Sequence, residues 1–545
     1  MPNCKQCHSQ FEITDRDREF YEKIDVPAPT WCPECRQIRR LLWRNERTLY
    51  QVKCVLCNKQ IISSYDANGP YQSVCVQCYY SDKWNPLRYG QDFDFNRPFF
   101  EQFDELMKKT PQLNTVSEGN ENCDYSNCIG HSKDCYLCFA SWESEKTMYS
   151  RWSFQNKECA DVFRSKACQL SYELINSVNC YNTQHVQDSE NCTDSFFLEN
   201  CKNCINCFGC KNLNNKENQI FNKPATDTEI AVVKEKLRSC SGREEFKKKS
   251  TKFFITLPHK ASHNKNAFNS TGDYLFNCDN CTECRSGEKG ENLQYLYEFE
   301  NMKDCMDCNM HQDSELLYEN VSGAFSNRSL FCSISAWTNF SYYSSTCIHS
   351  DYMFGSVSAP KLKHCILNKQ YSEKKYNELV PRIIAHMRET GEFGEFFPSK
   401  IAPFAFNEAL SIQFFSKTKE ETITEGWLWK DNIGGTYGKE TIKTVAIPDC
   451  INDVARDIIQ EVLGCAECGK NYKIIKQELD FYQKQGIPIP HKCPDCRFAR
   501  RMVAYGIESL TNSTCDKCQK KIQTTYAPDR PEIVYCEECY RKEVY

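Results

Sequence analysis

Three stretches of the chain carry apolar residues at helical spacing. Phe99, Phe100, Phe103, Leu106 and Met107 share one side of a helix expected over 97–109. Ile230, Val233 and Leu237 do the same over 226–239, where Thr226 and Glu229 form the signature of a capping box. Tyr376, Leu379, Val380, Ile383, Ile384 and Met387 mark a third helix over 373–389, and a fourth is expected over 451–463. Elsewhere the period changes. From about 120 to 212, and again from 273 to 368, short β-prone pieces alternate with Ser, Tyr, Phe and repeated Asn-Cys pairs. Cys138, Cys159, Cys180 and Cys201 stand 21 residues apart, and Cys284 and Cys305 repeat the interval. A sustained period near 20 residues predicts a parallel β-solenoid, each rung a strand, a turn and a strand, with side chains alternating inward and outward. Both blocks end in Asn-Lys (Asn222-Lys223 and Asn368-Lys369) and are followed by a helix and a Phe-Phe pair, so the middle reads as doubled. KKKSTKFFITLPHK, between the blocks, reads as a lysine-rich strand or linker.

The ends of the chain have another texture. The first eighty residues hold four CxxC pairs: Cys4/Cys7, Cys32/Cys35, Cys54/Cys57 and Cys75/Cys78. Shifting each by 461 positions gives Cys465/Cys468, Cys493/Cys496, Cys515/Cys518 and Cys536/Cys539 without exception. Non-cysteine residues keep the register: Phe20-Tyr21 match Phe481-Tyr482, and CPECRQIRR matches CPDCRFARR. The ends are therefore two copies of one module of about eighty residues. A CxxC turn presents two thiolates to one ion, and two such knuckles make the tetrahedral S₄ shell that Zn²⁺ prefers. The stretches between knuckles, Cys7 to Cys32 and Cys57 to Cys75 in the first module, have lengths that suit a zinc ribbon or treble-clef-like finger. The expectation is four closed, structural Zn²⁺ sites, two per end. Redox-active pairs, disulfides and rubredoxin-like iron are the alternatives.

CKQCHSQFEITDRDREFYEKIDVPAPTWCPECRQIRR and CAECGKNYKIIKQELDFYQKQGIPIPHKCPDCRFARR resemble zinc-ribbon modules. The second fits the pattern more closely; the first departs from it at His8, where the second has Gly469. CDKCQKKIQTTYAPDRPEIVYCEECY looks like a second bacterial zinc-ribbon type. The chain as a whole resembles cysteine-rich zinc-ribbon proteins of small-genome bacteria, some of which carry a transferase-type label that no signature here supports. The module resemblance covers the two ends of the chain alone and implies structural zinc without an activity.

Composition narrows the function classes. The 545-residue chain carries a net charge of −5, so any nucleic-acid surface must be local. No run of eighteen apolar residues exists, and MPNCKQCHSQ lacks the apolar stretch of a secretory signal, so a cytoplasmic protein without membrane contact is expected. The 38 cysteines then read as metal ligands and buried thiols rather than as a disulfide framework. HExxH, GxSxG and GxGxxG after a strand are all missing; IGGTYGKET at 433–441 reads as a glycine-rich turn. No small-molecule substrate is evident. Asp304, Asp307 and Asp313 leave open a carbohydrate-active β-helix, which would need carboxylates converging on one ladder. Cys201, Cys204, Cys207 and Cys210, with Cys278, Cys281 and Cys284, are expected to pack as small hydrophobes; metal and disulfides remain alternatives.

After the second knuckle, Arg36, Arg39, Arg40 and Arg47 fall on one helix face, and Arg497, Arg500 and Arg501 repeat it. With Trp43 and Tyr50 nearby, this stripe is the expected nucleic-acid surface, RNA favoured over DNA; a solvated helix face, with Arg36 and Arg497 bonding carbonyls near the zinc, is the plainer reading. The organisation expected is mainly β. A double zinc-ribbon module spans 1–90, a helical linker 91–118, the first solenoid block 119–222, a helical insertion 223–270, the second block 271–370, a helical and aromatic segment 371–463, and the second module 464–545. Two non-enzymatic functions compete: nucleic-acid binding through the two basic helices, or a protein-binding scaffold along the solenoid with the zinc modules as end caps.

Overall fold

The computed structural model describes residues 1–291, 297–300, 306, 309–311, 318–506 and 510–544. Asp304, Cys305, Asp307 and Asp313 lie outside them. The protein is mainly β, with a long sheet of eleven strands and twelve α-helices among the described residues. In chain order the helices are α1 (Asp15–Lys23), α2 (Pro33–Leu41), α3 (Val76–Tyr79), α4 (Phe99–Lys109), α5 (Asp227–Lys236), α6 (Cys240–Ile255), α7 (Glu373–Glu389), α8 (Ser411–Phe414), α9 (Lys419–Thr424), α10 (Lys476–Gln485), α11 (Pro494–Tyr505) and α12 (Glu537–Val544). The expected helices over 97–109, 226–239 and 373–389 are α4, α5 and α7. Thr226 and Glu229 make the reciprocal capping box that the sequence suggested. Two expectations are corrected. KKKSTKFFI belongs to α6, whose entry is fixed by Ser239 accepting from the Gly242 N–H. The stretch 451–463 forms only short 3₁₀ turns, at Ile451–Asp453 and Arg456–Ile459.

The chain divides into two compact units, each built from two separated segments. Unit 1 is Met1–Thr115 with Ser262–Ile433; unit 2 is Val116–Ala261 with Gly434–Tyr545. Each cysteine module thus belongs with the β block farther from it in sequence. In unit 1 the module precedes its β block; in unit 2 it follows.

In unit 2 the β block is a parallel stack, and its register advances by twelve positions at each step instead of the expected twenty-one. Tyr172 pairs with Gln184, Gln184 with Phe196 and Phe196 with Phe208. Three further ladders run beside this one: Lys157–Gln169–Tyr181–Thr193, Asn127–Phe139–Arg151–Phe163, and Phe154–Lys166–Val178–Glu190. Twelve residues therefore cross four ladders, three residues to each. The backbone explains how. From Asn122 to Phe221 almost every third residue has φ near +50°, as at Asn176, Asn179, Asn182 and His185. A left-handed residue between ladder positions turns the chain, and Asn is among the few side chains that tolerate that conformation. The residue after it points inward. Hence the recurrent Asn-Cys: Asn179, Asn191, Asn200, Asn203 and Asn206 are left-handed, and Cys180, Cys192, Cys201, Cys204 and Cys207 behind them are buried. In-and-out alternation does not hold here.

The interior is lined by small side chains, with Cys159, Val162, Cys168, Leu174, Cys180, Val186, Cys192 and Leu198 forming one cluster. Polar members are satisfied by the backbone. Inward thiols and hydroxyls donate to carbonyls two residues back and nine ahead: Cys168 Sγ donates to Lys166 O (3.4 Å) and Ser177 O (3.5 Å). Where an inner hydroxyl stands, the N–H of the next step donates to it, as Cys201 N does to Ser189 Oγ (3.0 Å).

The unit 1 block follows the same plan. Asn327–Asn339–Asp351–Lys363 and Leu330–Tyr342–Phe354–Ile366 are ladders of the same twelve-residue step, with a step one residue shorter at Lys265–Phe276 and Phe268–Asp279. Left-handed aromatic positions stack at the same interval: Phe331 on Tyr343 (4.7 Å) and Phe340 on Tyr352 (5.0 Å). Both blocks end on the same device. Left-handed Asn222 accepts from Lys211 N and donates to Lys211 O; left-handed Asn368 does likewise with Val357. α5 and α7 each begin five residues later. The doubling of the middle is therefore visible at the level of single hydrogen bonds.

Candidate metal centres

Four groups of four cysteines have all their Sγ atoms within 4.8 Å of one another: Cys4/Cys7/Cys32/Cys35, Cys54/Cys57/Cys75/Cys78, Cys465/Cys468/Cys493/Cys496 and Cys515/Cys518/Cys536/Cys539. Each is assembled from a knuckle and a helix start. In every knuckle the first cysteine's carbonyl accepts from the N–H four residues on: His8 to Cys4 (2.9 Å), Asn58 to Cys54 (2.9 Å), Gly469 to Cys465 (3.0 Å) and Gln519 to Cys515 (2.9 Å). All four donors are left-handed, with φ of +60° to +74°. The difference between His8 and Gly469 is thus one of side chain, not of backbone. The second pair of each group opens a helix. Cys32, Cys75 and Cys493 occupy the N-cap positions of α2, α3 and α11, and Cys536 immediately precedes α12. The positive end of a helix dipole favours a thiolate there.

The geometry fits a tetrahedral ion. With metal–sulfur bonds of ~2.3 Å, the edge of a regular tetrahedron is about 3.8 Å. The cross-knuckle Sγ···Sγ distances are 3.7 Å (Cys7–Cys32), 3.9 Å (Cys57–Cys75), 3.7 Å (Cys468–Cys493) and 3.7 Å (Cys518–Cys536). Backbone N–H groups also reach the sulfurs: Cys32 N to Cys4 Sγ (3.2 Å), Cys75 N to Cys54 Sγ (3.4 Å), Cys493 N to Cys465 Sγ (3.2 Å) and Cys536 N to Cys515 Sγ (3.2 Å). Burial pushes the Cys54, Cys465 and Cys515 thiols up, but these and neighbouring backbone donors outweigh it and hold each at about 6. Hydrogen bonding from Cys35 is the main cause that brings Cys32 down to about 5.

The central cysteines form no such group among the described residues. Cys201, Cys204, Cys207, Cys210, Cys278, Cys281 and Cys284 are buried, and the Sγ of Cys204 donates to Lys202 O (3.4 Å) and Leu213 O (3.6 Å). Packing is what their placement supports.

The expected basic stripe is not a surface. Arg36, Arg39, Arg40, Arg497 and Arg501 are buried, while Arg47 and Arg500 are half-buried. In unit 1, Arg39 lies 2.7 Å from Glu319 and 2.9 Å from Glu395, and stacks 4.3 Å over Trp31. Arg40 Nε donates to Asn309 (3.0 Å), and Arg36 Nη1 to Trp31 O (2.9 Å). Trp43, expected near a ligand, stacks on Phe397 in the core. In unit 2, Arg497 lies 3.0 Å from Asp161 and 3.5 Å from Glu478, and Arg501 lies 2.8 Å from Asp161. Glu478 in turn accepts from Tyr149 (2.6 Å) and Tyr482 (2.7 Å). These arginines seat each module on the side of its stack. Their partners Asp161, Glu319, Glu395 and Glu478 escaped sequence reasoning because most of them lie hundreds of residues from the arginine they meet.

No family model matches this chain, and no curated protein matches it. Among solved structures, one described as a "putative acetyltransferase" from Desulfovibrio desulfuricans G20 aligns over 41% of this chain and 54% of its own length. The identity is 10% and the TM-score 0.10, a likeness that carries no argument about fold or activity.

Proposed function

We propose that the four cysteine groups hold Zn²⁺ and that the protein is a non-enzymatic scaffold. Two four-sided β-solenoid blocks would supply its binding face, with the zinc modules as lateral braces. Four thiolates spaced like the corners of a zinc–sulfur tetrahedron suit Zn²⁺, and a closed S₄ shell leaves no position for substrate or water. When bound, the ion would fix knuckle and helix together. The residues themselves supply the rest: backbone donors hold the thiolates, and Arg39, Arg40, Arg497 and Arg501 dock the helices onto the blocks.

The observation that carries this reading is the burial of the arginines. A guanidinium shared between Glu319 and Glu395, or held between Asp161 and Glu478 as Arg497 is, is not available to a phosphate backbone. The seating along side columns favours bracing over end-capping. The ultraviolet absorbance ratio of protein purified at low salt, before and after nuclease, tests the reading. A protein-like ratio unchanged by nuclease is expected. An excess that falls on nuclease treatment would overturn the scaffold in favour of nucleic-acid binding. Elemental analysis should return about four zinc ions per chain.

A further inference from the structure

Unit 2 buries more positive charge against its stack than its carboxylates neutralise. α6 carries Arg243 and Lys247 one turn apart, and α11 carries Arg500 and Arg501. The two helices approach one column of left-handed stack positions, Asp161, Glu173 and His185. Arg243, 8% exposed, donates through Nη2 to Gln184 Oε1 (2.5 Å) and to Gly486 O (3.4 Å). Its Nε and Nη1 are buried with no hydrogen-bond partner, as are Nε and Nη2 of Arg501. Asp161 is already shared by Arg497 and Arg501, and Glu173 lies 3.5 Å from Arg501. Among the described residues Arg243, Lys247 and Arg500 form no ion pair with a carboxylate. Burial lowers the basicity of His185, and the charges of Lys247, Arg243, Arg500 and Arg501 add to the effect. Lys247 is likewise depressed by burial first and then by Arg500; Glu173 and Glu244 oppose this, and Lys492 adds to it.

A buried guanidinium without a counter-charge is costly, and burial without pairing is rare. Forked donors on two helices, with nitrogens left unbonded in each fork, are what a tetrahedral oxyanion requires. We propose that Arg243, Lys247, Arg500 and Arg501 form a recessed site for a compact oxyanion of the phosphate class. The site is distinct from the metal centres and independent of the scaffold reading. Arg243 and Arg501 would supply fixed donors at its floor, and the half-buried Lys247 and Arg500 its rim.

The test is calorimetric titration of inorganic phosphate into the full-length, zinc-loaded chain in a chloride buffer. Saturable binding of one phosphate per chain is expected. Lys247→Gln and Arg500→Gln should each weaken it about tenfold, the loss of one charge-assisted contact, and Arg243→Gln should abolish it. Because the rim cations repel one another, the two rim variants should melt no lower than the parent in phosphate-free buffer, yet lose the upward shift that phosphate gives the parent. Absence of saturable binding, or binding unchanged in both rim variants, would overturn the proposal. A short single-stranded oligonucleotide should fail to displace the phosphate; displacement from the parent but not from the variants would overturn the compact-oxyanion site, and the scaffold reading with it, in favour of a polynucleotide.

Discussion

Asn203 shows what one position in the stack must do. It holds a left-handed backbone, accepts from Asn191 Nδ2 (3.0 Å) and donates to Asn215 (2.8 Å) twelve residues on. A side chain with a Cβ and no amide loses both functions. Asn203→Ala should therefore destabilise unit 2 by about 1–2 kcal/mol. Asn203→Gly, which removes the strain but not the lost amide bonds, should cost less. Urea midpoints of the two variants decide it, and the reverse order would refute the backbone argument. Cys204 is the complementary case. Its column continues through Cys192, Cys180 and Cys168 to Asn156, Ser144 and Ser132, so a hydroxyl already serves at equivalent positions. Cys204→Ser should cost under about 1.5 kcal/mol and leave the metal content unchanged, whereas Cys4→Ser should lose one ion. The three-residue period was legible in Cys201, Cys204, Cys207 and Cys210. It was obscured because strands ordinarily alternate, and because twenty-one is a multiple of three but not of twelve.

At the scale of elements, α2 and α11 were placed correctly by their CxxC-R starts and given the wrong neighbour. An arginine stripe looks the same in sequence whether it faces solvent or a carboxylate 280 residues away, as Glu319 is from Arg39. The helices over 99–109, 227–236 and 373–389 were legible because their apolar residues recur on one face, with a capping box added over 227–236; α6 was not, because its lysines hide the pattern. Removing one partner of a buried pair leaves an uncompensated charge, so Asp161→Asn should destabilise unit 2 by about 3–5 kcal/mol. The variant's thermal midpoint measures it, and a change within error would show that Asp161 is dispensable to the seating. Acid should weaken the Glu395 side of the unit 1 clamp, while burial pushes the Glu319 carboxyl the other way, up. Burial pushes the Glu395 carboxyl up, but Arg39 and Thr30 hold it below its ordinary value. A carboxyl depressed in the folded state contributes stability that is fully present above its unfolded pKa, about 4.3, and is lost as pH falls through the lower folded value. Glu395→Gln should flatten that acid limb of the stability curve; an unchanged limb would assign it to another group.

For the molecule as a whole, the four cysteine groups were fully legible, since eight positions in register at both ends leave no other reading of the repeat. The partition into units was not legible, because nothing local marks which β block a module will meet. No helix among the described residues is long and apolar enough to cross a membrane. The partition makes a sharp prediction for metal loss. Cys465→Ser should raise hydrogen exchange in both 434–545 and 116–261, the two segments of unit 2, while 1–115 and 262–433 keep their protection. Loss confined to 434–545 would mean that the module and its stack fold separately. The same partition sets a timetable for synthesis. The N-terminal module leaves the ribosome long before Glu319, the residue that will neutralise Arg39, exists. At 5–20 residues per second, 280 residues take about 15–60 s. During that interval α2 presents an undocked cationic helix, and the unit 2 stack emerges first. A nascent chain in that state would carry the positive, aromatic surface that the finished protein conceals, so its early contacts belong to its biogenesis rather than to its mature work.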